Sequence, residues 1–257
     1  MNRPTKHSII IFISFLFFGC SENTTNAPNS IGNIQIGMNK TEYLSEIGLV
    51  SPIDCKTLKD KNGELVQFDL RSLNTLSTLF LSPCLFYFME STTKDAIKSQ
   101  QNGIDDTIHI DGITYNYIYA NKKASKAIEP IGEDITAIFL KNKLIGIEIR
   151  DPKVTSDTLK IKYGNPKIND RRQTEICQNR AGSKFEHKIG FLDAVWSNGK
   201  ISATYRINLI RPRKTCTDNE NFITYLIEES KQMESIRSAI NTYKEDAKRI
   251  ETKSSPF

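Results

Sequence analysis

Thr107-Ile-His-Ile-Asp-Gly-Ile-Thr-Tyr-Asn-Tyr-Ile-Tyr119 decides the fold class. β-Branched and aromatic residues flank Asp111-Gly112, a dipeptide suited to the two positive-φ positions of a tight turn, so residues 107–110 and 113–119 are expected to pair as a hairpin. Ala137-Ile-Phe-Leu140 and Leu144-Ile-Gly-Ile-Glu-Ile149 repeat the pattern around Lys141-Asn-Lys143, read as a three-residue loop. A third hairpin joins Ala194-Val-Trp196 to residues 201–207 through Ser197-Asn-Gly-Lys200, and residues 222–227 make one further strand. Successive hairpins build a meander, whereas a parallel α/β sheet needs helical crossovers. The expected class is therefore α+β: antiparallel sheets packed by short helices and a long C-terminal helix.

Helix signals surround these strands. Ile31-Gly-Asn-Ile-Gln-Ile36 alternates like a strand, and Asn39-Lys-Thr-Glu42 offers an N-cap with an acid three residues on. Tyr43, Leu44 and Ile47 give the helix an apolar stripe, Gly48 an end, and Pro52 a stop. The same grammar returns at Ile145–Ile149, with Thr155 or Ser156 as cap, Leu159 and Tyr163 as stripe, then Gly164 and Pro166. It suggests two related modules, at 31–100 and 101–257. At the C-terminus, Met233, Ile236, Ile240, Tyr243, Ala247 and Ile250 recur at spacings of three and four, one face of a long helix. That face is expected to cover a sheet, with partner binding as the alternative.

Composition is that of a globular protein, at 38% hydrophobic and 25% charged. A formal charge of +5 is too small and dispersed to indicate nucleic acid as a partner. Residues 1–19 read as an export signal: Arg3 and Lys6 precede Ser8-Ile-Ile-Ile-Phe-Ile-Ser-Phe-Leu-Phe-Phe18 and Gly19. Eleven helical residues reach only about 16 Å, half a hydrocarbon core. The polar, Asn-rich stretch that follows, 20–30, is expected to be a flexible spacer.

Beyond Cys20, four cysteines remain: Cys55, Cys84, Cys177 and Cys216. An even number in an exported chain suggests disulfides, and three connectivities are open, with buried free thiols as the alternative. Pairing Cys55 with Cys84 and Cys177 with Cys216 is favoured because each bridge then stays within one half of the chain. None has the two-residue spacing of a zinc or redox motif.

Phe17-Phe18-Gly19-Cys20 resembles the lipobox of bacterial lipoproteins, which implies a lipidated Cys20 and membrane attachment. Ser21 in place of Asp resembles the sorting pattern of outer-membrane lipoproteins facing the periplasm. Ile36-Gly-Met-Asn-Lys-Thr-Glu42, running to Gly48, resembles the opening of SmpA/OmlA-type lipoproteins and of the β-lactamase-inhibitor-protein-like fold. Leu159-Lys-Ile-Lys-Tyr-Gly-Asn-Pro166 and Ala194-Val-Trp196 are similar to uncharacterised proteobacterial envelope proteins. These resemblances imply an envelope scaffold that binds proteins without catalysis.

No catalytic constellation competes with that expectation. His109 alternates with isoleucines beside a turn, and His187 lies in the charged Lys184-Phe-Glu-His-Lys188, both read as solvent-facing. Asp105 and Asp106 are adjacent, so an extended chain points them to opposite sides, and they are read as a solvated loop. Nucleophile elbows, zinc-hydrolase spacings and phosphate loops do not occur, and neither a cofactor nor a metal is expected. Arg171 and Arg172, with Arg211, Arg213 and Lys214, form the densest basic clusters and make a candidate patch for a headgroup or acidic partner. Trp196 is expected to fill the core under its hairpin. The leading expectation is an outer-membrane-anchored, protein-binding or structural module; the alternative is a lipid-anchored inhibitor or defence protein that blocks a hydrolase.

Overall fold

The computed structural model describes residues 27–58, 64–65, 82, 84–85, 101–209 and 221–254. In chain order these form β1 (Ser30–Ile31), β2 (Ile34–Gln35), α1 (Lys40–Glu46), β3 (Ile53–Asp54), β4 (Ile104–Ile110), β5 (Ile113–Asn121), β6 (Asp134–Leu140) and β7 (Lys143–Arg150). Then come α2 (Ser156–Tyr163), β8 (Lys167–Gln178), β9 (Lys184–Ser197), β10 (Ile201–Leu209), β11 (Asn221–Glu229) and α3 (Ser230–Ser254). Among the described residues one mixed sheet carries nine strands in the order β3-β4-β5-β6-β7-β11-β10-β9-β8, and β1 pairs with β2 apart from it.

Turn chemistry sets most of this register. Asp111 and Gly112 adopt φ of 45° and 72°, which lets β4 run straight into β5. Lys141 and Asn142 do the same at 50° and 63°, with Leu140 opposite Lys143, so the expected three-residue loop is a two-residue turn. Between β9 and β10 the Asn198 carboxamide accepts from the N–H groups of Lys200 and Ile201. Sheet neighbours are antiparallel except β3 and β4, whose two-residue parallel pairing the hairpin reading did not anticipate. The sheet thereby runs across residue 100, from Ile53 to strands on the far side.

Two expectations near the N-terminus change. The stretch 31–36 is not one strand, because Gly32, at φ 55°, folds it back on itself. The end of the spacer belongs to the fold: Ala27 and Pro28 are buried, and the Asn29 carbonyl accepts from Ile36 N–H at 3.0 Å. Burial of these apolar residues ties residues 27–30, the last part of the expected spacer, to the fold.

Both faces of the sheet are packed. On one, Tyr43 of α1 and Ile47, which caps its C-terminus, meet Ile118, Ala137 and Phe139, with the Tyr43 and Phe139 rings edge to face at 5.2 Å. The capping box expected of α1 forms, Asn39 accepting from Glu42 N–H at 2.9 Å. Thr155 caps α2 and Leu159 seals it, while Trp196 is buried and donates from Nε1 to the Gly164 carbonyl at 2.8 Å. On the opposite face, Met233, Ile236, Ala239 and Ile240 of α3 bury against Ile104, Ile108, Tyr115, Ile138 and Ile145. The C-terminal stripe thus covers the sheet. The grammar shared by residues 31–52 and 145–166 does not extend to their place in the fold: β2 pairs with β1 outside the main sheet, whereas β7 lies near its middle.

Candidate functional site

The candidate site is built on β8 and β9, a hairpin of 12- and 14-residue strands. Its base is anchored by Trp196 and by a charged knot. Asp193 is nearly enclosed, with its side chain 4% exposed, and accepts from Arg206 Nε and Nη2 at 2.7 and 2.9 Å and from Arg171 Nη2 at 2.8 Å. Burial raises the affinity of this carboxyl for a proton, but the two guanidinium groups outweigh it and hold its pKa below the usual range. Phe191 lies under both cations, 5.0 Å from Arg206 and 5.8 Å from Arg171. Gly190, at φ 111°, allows the strands to close here, since a Cβ would stand 2.6 Å from the Arg171 carbonyl oxygen.

Among the described residues β8 is the outer strand, hydrogen-bonded to β9. Asn179 donates to the Ser183 carbonyl at 3.0 Å, and antiparallel alternation extends that pattern along the strand. Odd-numbered residues of β8 therefore bond to β9. Ile168, Asp170, Arg172, Thr174 and Ile176 turn their N–H and C=O groups outward. Asp170 caps one of these, accepting from Arg172 N–H at 3.1 Å and from its guanidinium at 2.8 and 2.6 Å. Those bonds hold the Asp170 carboxyl down to about 2. Ile168 is 58% exposed and Ile176 66%, on the same side of the strand. An outer strand with outward amides and isolated exposed isoleucines can accept another strand by main-chain hydrogen bonds, with the side chains supplying selectivity.

A second polar group lies inward of the hairpin. Asp134 and Arg150 form an ion pair across β6 and β7, and Arg237 of α3 pairs with Glu228, donating from Nη1 to Oε1 at 3.0 Å. Glu148 sits among them, half-buried; burial and the Asp134 charge raise its pKa to about 7 against the pull of Arg206 and Arg150. Asp105 and Asp106 do point to opposite sides, but on strand β4 and not in a solvated loop. Asp105 meets Lys40 at 2.6 Å, and Asp106 is buried with Ser82 as hydrogen-bond partner, its pKa raised mainly by desolvation.

Cys55 and Cys84 form a disulfide with Cα atoms 6.2 Å apart, as expected. A carboxylate oxygen of Asp106 lies within 4.8 Å of both sulfurs. Sulfurs bonded to each other offer a metal no thiolate, so this trio is a covalent clasp over a buried acid. Cys177 is disulfide-bonded too, and Cys216, its expected partner, lies outside the described residues.

The basic patch is only partly in view. Arg171 and Arg172 stand on β8 and are held by Asp193 and Asp170. Arg211, Arg213, Lys214 and Cys20, the residue expected to be lipidated, lie outside the described residues. His109 is exposed and bonds Thr114 across the hairpin at 2.9 Å, while His187 lies on β9 and is half-buried. Sequence reasoning missed the outer strand itself. Its one signal is Ile168 and Ile176, spaced by an even number in an otherwise polar run. No family model, curated protein or solved structure matches the chain.

Proposed function

We propose that this protein is a lipid-anchored module of the bacterial cell envelope, attached through Cys20 to the outer membrane on its periplasmic side, that binds protein and catalyses nothing. The observation that carries the binding reading is the outer strand β8, 12 residues long, with outward amides at Ile168, Thr174 and Ile176 and two exposed isoleucines. The lipobox and the leader carry the anchoring. Main-chain pairing suits such a role because it recruits a partner segment with few side-chain demands.

A photo-crosslinking residue at position 176, introduced into the lipidated protein in intact cells, tests the reading. An adduct of defined mass that is missing when the residue stands at Ile161, 88% exposed on α2, is the expected result. Equal labelling from both positions, or none from 176, would overturn it.

A further inference from the structure

Resting on the binding role of β8, we infer that the strand added to it is β8 of a second copy of this chain, laid antiparallel about a two-fold axis through Arg172. Ile168 and Ile176 stand four residues to either side of Arg172, and all three belong to the outward-bonding set. The axis therefore sets Ile168 opposite the partner's Ile176, and does so twice, covering the four exposed isoleucine side chains in pairs. Sliding one copy by two residues, the smallest slip that keeps outward amides in register, puts Ile176 opposite the partner's Asp170 or the partner's Pro166. Either slip leaves isoleucine against a carboxylate or against a residue with no N–H to donate.

Charge fits the same register. Two arginines meet at the axis, an arrangement that repels when the charges are bare. Here each guanidinium is already bound by its own Asp170 at 2.8 and 2.6 Å. Diagonal neighbours across an antiparallel pair lie within reach of long side chains, so the partner's Asp170 flanks Arg172 as well. Two cations and two anions then alternate around the axis. Asp170 opposite the partner's Thr174 adds a hydroxyl donor beside each carboxylate. Because the Arg172 N–H is already capped, the pairing relies on the outer positions, where Ile176 contributes both an amide and an apolar contact. Attachment of both copies to one membrane would raise their effective concentration.

Sedimentation of the chain from Ser21 onward, which contains every described residue, is the test. A reversible dimer is expected at tens of micromolar. Ile176→Pro removes an outward N–H that β9 does not use, so the fold is retained while dimer affinity falls at least about tenfold. Ile176→Lys keeps the amide, charges the edge and is expected to act alike, which guards against a proline that perturbs folding. Oxidation of Arg172→Cys should give a covalent dimer, since the two copies of residue 172 face each other on the axis with Cα atoms about 5.5 Å apart, within disulfide range. Thr174→Cys should not, its copies lying roughly 13 Å apart along the strands. A monomer at every concentration up to about 200 µM, undiminished dimerisation of both Ile176 variants, or equal cross-linking of the two cysteine variants would overturn the inference. Failure by the first route leaves the wider binding role open to a separate reading, because an adduct from position 176 in cells would then carry the mass of a different protein.

Discussion

Ile240→Asp probes the packing of α3 more sharply than any other single change. Ile240 is 6% exposed and belongs to the cluster formed with Ile104, Ile108 and Tyr115 under the helix. The substitution withdraws an apolar side chain whose burial contributes about 2 to 3 kcal/mol. It also inserts a carboxyl that cannot hydrate there; the group stays protonated by a raised pKa, at about 1.4 kcal/mol per unit. Together these come to about 4 to 7 kcal/mol, a large part of the 5 to 15 kcal/mol that holds a typical native protein. At roughly 2 to 4 °C per kcal/mol, the melting midpoint should fall by about 10 to 25 °C. Ile161→Asp, at an 88% exposed site, is the control and should move it by less than about 2 °C. Circular-dichroism melts of the three proteins decide the matter. An Ile240→Asp midpoint within about 2 °C of the parent would refute the packing and leave the stripe free to dock a partner.

Further outcomes follow from the charged groups and the cysteines. Glu148 has a native pKa of about 7 against an ordinary 4.5, so between those values the unfolded chain releases a proton that the native state keeps, and stability falls as pH rises. Glu148→Gln should flatten that part of the stability curve, read by urea titration at pH 4.5 and 8; an unchanged slope contradicts the assignment. Asp193→Ala leaves Arg206 and Arg171 without their shared carboxylate and should cost about 2 to 4 kcal/mol, measured by denaturant unfolding. Cys55→Ser with Cys84→Ser opens a bridge of sequence separation 29 and should cost about 3.6 kcal/mol on the chain-entropy model, with the topology retained. Cys20→Ala should abolish labelling by a palmitate analogue, and retained labelling would contradict lipidation at that residue.

The parts legible in the sequence are those where local chemistry and burial agree. Asp111-Gly112 specified its turn, Asn39 with Glu42 specified a helix start, and the stripe from Met233 to Tyr243 specified the face that α3 buries. Trp196 and the Cys55–Cys84 bridge were readable for the same reason, each being a residue type with a narrow range of environments. β8 was not readable. Much of both of its faces meets solvent, so Lys167-Ile-Asn-Asp-Arg-Arg-Gln-Thr-Glu-Ile-Cys-Gln178 carries no apolar alternation, and its strand state comes from pairing with β9. Asp106 misled in the opposite direction. Two adjacent carboxyls suggested a solvated loop, whereas the fold encloses Asp106 beside Ser82 and the disulfide, contacts distant in sequence. The candidate site thus lies where pattern is weakest, on a strand defined by its neighbour.

Backbone amide exchange along β8, measured by NMR on the dilute chain from Ser21 onward, tests the central claim most directly. An open edge predicts alternation: slow exchange at Asn169, Arg171, Gln173 and Cys177, which face β9, and fast exchange at Ile168, Thr174 and Ile176, with Arg172 slowed by Asp170. Those three fast amides should become protected when the edge is occupied. Uniform slow exchange along the strand in the dilute protein would mean that β8 already has a neighbour on its outer side, and would contradict the claim.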